Sequence, residues 1–424
     1  MLNRIISALS VSGADAWRVT ELKTYSAELY YIKKQLDIPR VKNMTEYSVE
    51  VFRDFEQDGV KYRGFTTIPV PPGTGDSELK QRIDSALFAA SFVKNRWFEL
   101  PEGIKRPHAA SASELRRSEP QDAARRMAEA IFAADTDRDA FVNSAEIFVT
   151  RRSRRIVASN GLEVGYDEDK VSGELVVQCI APKDVEQYRS FSYDGLDTEA
   201  LTQKVRDAIR DVRLRAAAEQ LPKAGTYDII LTGENLRTVL DYYLSRSNAA
   251  MIYPKYSGWD VGTDVQGEGI TGEALELGLV STQPYSEEGI PMPSRTLVHE
   301  GRLELVHGAT RFCRYLGKEP TGNYYKLSCM NGTMSYADMQ KEGVLEAVSF
   351  SDFQMDSFSG HFGGEIRLAL LHGADGAAAL TGGSVNGSLQ DVQAKLIFSK
   401  ERFTDGSYDG PMAVLIPGVA VAGE

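Results

Sequence analysis

The chain has 424 residues, enough for two or three domains, and its 42% hydrophobic and 25% charged residues are the balance of an ordinary globular protein. A formal net charge of −12 works against general affinity for nucleic acid, whose phosphates it would repel. No apolar run approaches the ~20 residues of a membrane span, and three cysteines (Cys179, Cys313, Cys329) are too few for a disulfide framework and suit a reducing compartment, the cytoplasm.

The opening MLNRIISALSVSGADAW lacks a long apolar core followed by a small-residue cleavage site, and reads as a first helix. Alternation at 16–23, 27–36 and 47–55 predicts strands. The loop PPGTGDSE then starts a helix with Leu79, Ile83 and Leu87 on one face. Residues 95–120, punctuated by Pro101, Pro107 and Pro120, read as irregular. A helix from Asp122 carries Ala123, Met127, Ala130 and Ile131 on one side. Strands are expected at 146–150, 155–159 and 174–180. Asp197 or Thr198 caps a long helix with the apolar stripe Leu201, Val205, Ala208, Ile209 and Val212. Helix, strands, loop, helix thus occurs twice. The matching stretches 15–36 and 143–164 share too little identity to decide between an internal duplication and coincidence.

The fold expected is α+β. Residues 1–221 form a domain of mixed helices and strands. Residues 222–424 form a β-rich domain, sheet-like or barrel-like, around a central strand-helix unit at 223–247. In that unit Leu236, Val239, Leu240 and Tyr243 share one helical face. RTLVHEGRLELVHG reads as a hairpin turning at Glu300-Gly301. Strands are also expected at 365–371, 392–399 and 412–416, and a surface loop at 258–274.

Chemistry is sparse. DTDRDAFVNSAE, Asp135 to Glu146, has calcium-loop spacing at Asp135, Asp137, Asp139, Asn143 and Glu146. Its sixth position is Ala140 where the turn wants glycine, and a strand follows, so an acidic helix–strand connection is the better account. His299-Glu300 and His307 lack the four-residue spacing that puts two histidines on one helix face. His361 and His372 sit beside glycines in turn-like contexts. Ser335 and Ser384 have no identifiable base. No phosphate loop, dinucleotide fingerprint or nucleophile elbow is present.

Several stretches together are specific: AGTYDIILTGENLRTVL, LGLVSTQPYSEEGIPMPSRTLVHEGRLELV, TGNYYKLSCMNGTMSYADMQ, FSGHFGGEIRLAL and the end PMAVLIPGVAVAGE. In this order they resemble the TldD/PmbA (TldE) family, historically called a modulator of DNA gyrase. The resemblance is clearest from Lys223 onward. It implies a peptidase built from two related subunits. One type carries H-E-x-x-x-H on the helix after the strand and a cysteine near the C-terminus as zinc ligands; the other lacks them. Gapless alignment puts Asp241, Tyr242 and Arg246 where His, Glu and His would stand, and no cysteine follows Cys329. The chain therefore looks like the metal-free type, with no zinc expected. The resemblance implies as partner a zinc-bearing TldD-like subunit or a second copy of the chain, and as substrate a peptide or unfolded protein. Asp241, Tyr242, Tyr243, Arg246 and His361 are the candidates for peptide contact. The alternative is a stand-alone homodimer that binds peptides or another ligand without catalysis.

Overall fold

The computed structural model describes residues 1–424. The N-terminal half runs α1 (Leu2–Ser10), β1 (Ala16–Ile32), β2 (Gln35–Gln57), β3 (Val60–Val70) and α2 (Asp76–Ala90), then α3 (Pro120–Ala134), β4 (Ala140–Ala158), β5 (Glu163–Cys179), β6 (Val185–Tyr193) and α4 (Thr198–Ala217). The same order of helix, three strands and helix occurs twice. All six strands join in one antiparallel sheet, β3-β2-β1-β4-β5-β6. Its centre is the β1–β4 pair, in register from Arg18↔Ala158 to Ile32↔Ser144. This is the arrangement a duplicated unit gives. Each unit has its own core. Ile5, Leu9, Leu79 and Ile83 cover Val19, Val49 and Val51, while Met127, Ile131, Leu201 and Val205 cover Ala145, Ile147 and Val149. The Asp197 carboxylate accepts the Ala200 N–H at 2.9 Å and caps α4.

Several strands are longer than the alternation suggested. The expected strand 16–23 and residues 27–32 of 27–36 merge into β1, which turns at Lys33-Lys34 into β2, and 146–150 and 155–158 merge into β4. The stretch 151–154, with Arg151, Arg152 and Arg154, reads as a break. The sheet holds them instead: Arg155 pairs with Glu163 at 2.5 Å, and Arg154 lies over the Tyr166 ring.

The C-terminal half starts with β7 (Gly225–Thr232) and α5 (Gly233–Arg246). Further strands follow at β8 (Leu277–Val280), β9 (Arg295–His299), β10 (Arg302–Leu303), β11 (Lys326–Cys329), β12 (Leu345–Met355), β13 (His361–Gly373), β14 (Gly376–Leu380) and β15 (Ser384–Ser388). The last are β16 (Ile397–Phe398), β17 (Arg402–Thr404), β18 (Tyr408–Pro411) and β19 (Ala413–Ala422). Strands β7, β19, β15, β13 and β12 pair in succession, and β12 returns to β7, which closes a barrel-like ring. A second sheet, β10-β9-β8-β11-β18-β17, lies beside it. Helix α5 sits between them: its Leu236, Val239, Leu240 and Tyr243 share one core with Ile229 and Leu345 of the ring and Leu277 and Leu327 of the sheet.

The hairpin turn falls where expected, with Glu300 (φ 49) and Gly301 (φ 74) both left-handed. Residues 392–399 are not a strand throughout. Leu389–Val392 and Gln393–Lys395 are single helical turns, and only Ile397–Phe398 pairs. The reason is Gln393, which is held against α5 by Tyr243 and against 258–274 by Gln266. That long irregular segment is itself anchored by buried Gln266, whose amide bonds Glu273 O at 2.8 Å and accepts from Leu275 N at 2.7 Å. No helix is long and apolar enough to cross a membrane.

Candidate functional site

Helix α5 begins where Gly233 takes φ 50 and ends against three loops. Its buried Arg237 donates to Ser407 O at 3.0 Å and to Tyr325 O at 2.8 Å, and pairs with Asp241 one turn on. Asp241 is thus the counter-ion of a structural arginine. Tyr242 and Tyr243 are buried. Tyr243 donates its hydroxyl to Gln393 Oε1 at 3.0 Å, and burial pushes its pKa up. Trp259 stacks on Tyr243 and meets Tyr242 edge-on at 5.6 Å.

Arg246 closes the helix. Its guanidinium lies over Trp259 and Tyr242, at 5.2 and 5.4 Å from the ring centres. Its Nη1 donates to the carbonyls of Phe358 at 3.1 Å and of Tyr256 and Ser357 at 3.3 Å. The turn at 356–360 is therefore fastened to the end of α5. Within it the Ser359 hydroxyl, then the Phe358 N–H, hold the Asp356 carboxyl below its usual range. Gly360, at φ 78, has Tyr242 ring atoms 3.4 Å from where a Cβ would stand. His361 follows as the exposed first residue of β13. The structure thus gathers Tyr242, Arg246 and the turn before His361. It leaves Asp241 beside Arg237 and puts Tyr243 in the core. The exposed Tyr256–Phe358 edge-on pair caps Arg246 and was not visible in the sequence.

The remaining motifs stay apart. His299 is exposed and bonded to Glu276 at 3.0 Å, which raises its pKa. His307 is buried and bonded to Leu244 O at 2.8 Å. His372 meets Glu346 at 3.0 Å, and Glu346 also accepts from Tyr336 and Gln340. In the acidic connection, buried Asp135 faces Lys34, Asp137 pairs with Arg213, Asn143 bonds Glu186, and Glu146 lies within β4 opposite Glu174. The three cysteines are buried; burial raises the Cys313 thiol to about 11 and lifts Cys329 further. Ser335 caps the turn at Tyr336–Met339, and Ser384 is part of β15.

A polar cleft of about 690 Å³ lies between the two halves. Arg18, Arg152 and Arg154 form one side, and Gln283, Glu288 and Asn323 belong to the other. Tyr166 ties the sides together through a 3.1 Å hydrogen bond from its hydroxyl to Gln283 Oε1. Sequence reasoning missed this cleft, because no local pattern marks residues drawn from so many separate stretches.

The profile of the PmbA/TldA metallopeptidase C-terminal domain matches residues 224–423. The C-terminal half belongs to the PmbA/TldD family. The whole fold is similar to TldE from Thermococcus kodakarensis, with a TM-score of 0.78, 16% identity and 100% of both chains covered. It is also similar to a protein from Thermotoga maritima described as a modulator of a DNA gyrase, with a TM-score of 0.77, 16% identity and 99% of each chain covered. A protein from Bacteroides thetaiotaomicron of the same description gives a TM-score of 0.79 at 17% identity, over 100% of this chain and 98% of that one. At these identities the likeness is one of fold. No curated protein matches the chain.

The PmbA/TldD family name implies a metal, so the residues at the end of α5 must be tested for one. Zinc takes imidazole, thiolate or carboxylate ligands. Here Arg246 is a permanent cation already spent on three carbonyls, Tyr242 is packed beneath it, and Asp241 is paired with Arg237. No group of three or more His, Cys, Asp or Glu side chains converges elsewhere. These residues do not fit a zinc ion.

Proposed function

We propose that this chain is the zinc-free type of subunit in a PmbA/TldD-like peptidase system. It binds and positions an extended or unfolded peptide, and a zinc-bearing TldD-like partner carries out hydrolysis. The observation that carries the reading is Arg246. A guanidinium stacked on Trp259 and Tyr242 and bonded to the 356–360 turn stands at the position that the gapless alignment matches to a metal ligand, which supports the reading of a zinc-free subunit. The PmbA/TldD frame is retained while the hydrolytic groups are replaced by packing. The buried thiols and acidic charge suit work in the cytoplasm away from nucleic acid and membrane. The gyrase description remains that of the similar proteins.

Co-purification from the native host, followed by peptide digestion with and without the chain, tests this. A co-purifying zinc peptidase whose cleavage depends on the chain is the expected result. A homodimer that retains peptides with no associated peptidase would replace this reading with that of a stand-alone binding protein. Neither partner nor bound peptide would refute both.

A further inference from the structure

We propose that the cleft between the two halves is a carboxylate-recognition site, in which Arg154, supported by Arg152, receives a carboxylate of the bound peptide. This rests on the peptide-binding reading above and adds which group of the peptide is recognised.

Residues two apart on a strand face the same side, so β4 presents Arg152 and Arg154 together. Several cations in and beside the cleft are already neutralised, whereas Lys170, exposed in its lining, makes no ion pair. Arg18 pairs with Glu50 at 2.6 Å, Arg116 with Asp167 and Asp169 at 3.5 and 2.8 Å, and Lys326 with Asp194 at 3.4 Å. Arg152 has only Glu168, at the long distance of 3.9 Å. Arg154 makes a contact with the Tyr166 ring at 6.0 Å and no ion pair. The Nε atoms of both arginines are buried and meet no acceptor. A guanidinium stays charged at any physiological pH, and a partly buried one without an anion is costly. The cleft is therefore electrostatically incomplete at this point.

The geometry is also fixed in advance. Tyr166 is fully buried, and its bond to Gln283 spans the two sides of the cleft. Arg154 rests on that ring, so its fork is held in place before a ligand arrives. A planar fork matches a carboxylate through two parallel hydrogen bonds. The carboxylates nearby do not fill the role: Asp167 and Asp169 serve Arg116, and Glu288 accepts the Thr310 N–H and hydroxyl, both at 2.8 Å. Glu287 is exposed and its charge, like that of Glu168, acts on Tyr166, but neither forms an ion pair with Arg154. Ser281, Thr282 and Asn323 supply neutral polar groups for the adjoining backbone. A peptide offers such a carboxylate at its C-terminus or on an aspartate or glutamate side chain.

The test is fluorescence anisotropy with one labelled, unstructured peptide in four forms. The C-terminus is a free acid or an amide, each with or without a single internal glutamate. Forms carrying a carboxylate should bind the wild type about tenfold more tightly than the neutral amide. Arg154→Gln should bind all four like the neutral form, and Arg154→Lys, which keeps the charge but not the fork, should retain part of the gain. Which acidic form gains identifies the source of the carboxylate. Equal affinity for all four forms in the wild type, or the same gain in Arg154→Gln, would overturn the proposal. If no form binds, the peptide-binding reading fails. The carboxylate site is then read by melting temperature with N-acetylglycine and its amide. A rise with the acid alone, lost in Arg154→Gln, supports it, and no rise overturns it.

Discussion

Replacing His307 by glutamine isolates what one buried imidazole contributes to acid stability. His307 is 1% exposed, and its Nε2 lies 2.8 Å from Leu244 O in the last turn of α5. Nε2 must therefore carry the proton and donate it, because a carbonyl can only accept. Nδ1 is buried and has no partner. A second proton there would place both a charge and an unanswered N–H in the interior, and burial accordingly pushes the pKa down to about 4. The unfolded imidazole takes up its proton as the pH falls through ~6.5, whereas the folded one waits until ~4. Between those values the unfolded state binds more protons. The contribution of His307 is complete above ~6.5, declines as the pH falls, and has lost about 3 kcal/mol by pH ~4. Glutamine can donate to the same carbonyl and does not titrate. Urea unfolding, followed by tryptophan fluorescence at a series of pH values from 8 to 4, compares the two proteins. Acid effects of the carboxylates are common to both and cancel in the difference. The wild type should lose about 3 kcal/mol more than His307→Gln across the window. Parallel curves would refute the assignment of that proton to the folded interior.

Arg246→Ala should release the 356–360 turn: loss of the charge-assisted bonds to Ser357 O and Phe358 O and of two ring contacts weakens it locally by about 2–4 kcal/mol, visible as faster amide exchange there by mass spectrometry. Unchanged protection would show that the turn holds without the arginine. Metal analysis of the purified chain should find well under one zinc per molecule, and stoichiometric zinc would overturn the reading of Asp241, Tyr242 and Arg246. Gly64→Ala should destabilise the first α/β unit by about 1–3 kcal/mol, because its Cβ would lie 1.8 Å from Ala90 O at the end of α2. A melting temperature equal to wild type would mean that α2 shifts freely.

Elements with a clean period were legible. The stripes of α4 and α5, the Asp197 cap and the Glu300-Gly301 turn all follow from side-chain spacing and local backbone preference. The interior of β4 was not, because Arg151, Arg152 and Arg154 around Ser153 look like a solvated break. Only the sheet shows that Arg155 finds Glu163 and Arg154 finds Tyr166. Residues 392–399 carry a strand-like composition that tertiary hydrogen bonds to Gln393 override. At the candidate site, the residue types on α5 were readable one by one. The stacking of the Arg246 guanidinium was not, since Trp259 and the 356–360 turn meet Arg246 only through folding. The cleft at Arg154 was illegible for the same reason.

The N-terminal sheet is unbroken, yet it rests on two separate apolar clusters, of 12 buried residues under the first unit and 26 under the second. Hydrogen bonds of the β1–β4 pair cross between them, and β1 also lends Ala27 and Leu29 to the larger cluster. A sheet built this way need not open all at once. The outer strands β2 and β3, with α1 and α2, rest on the smaller cluster and exchange their amide protons first, whereas β4 and β5 hold theirs longest. Their resistance to opening is graded from one edge of a single sheet towards the other.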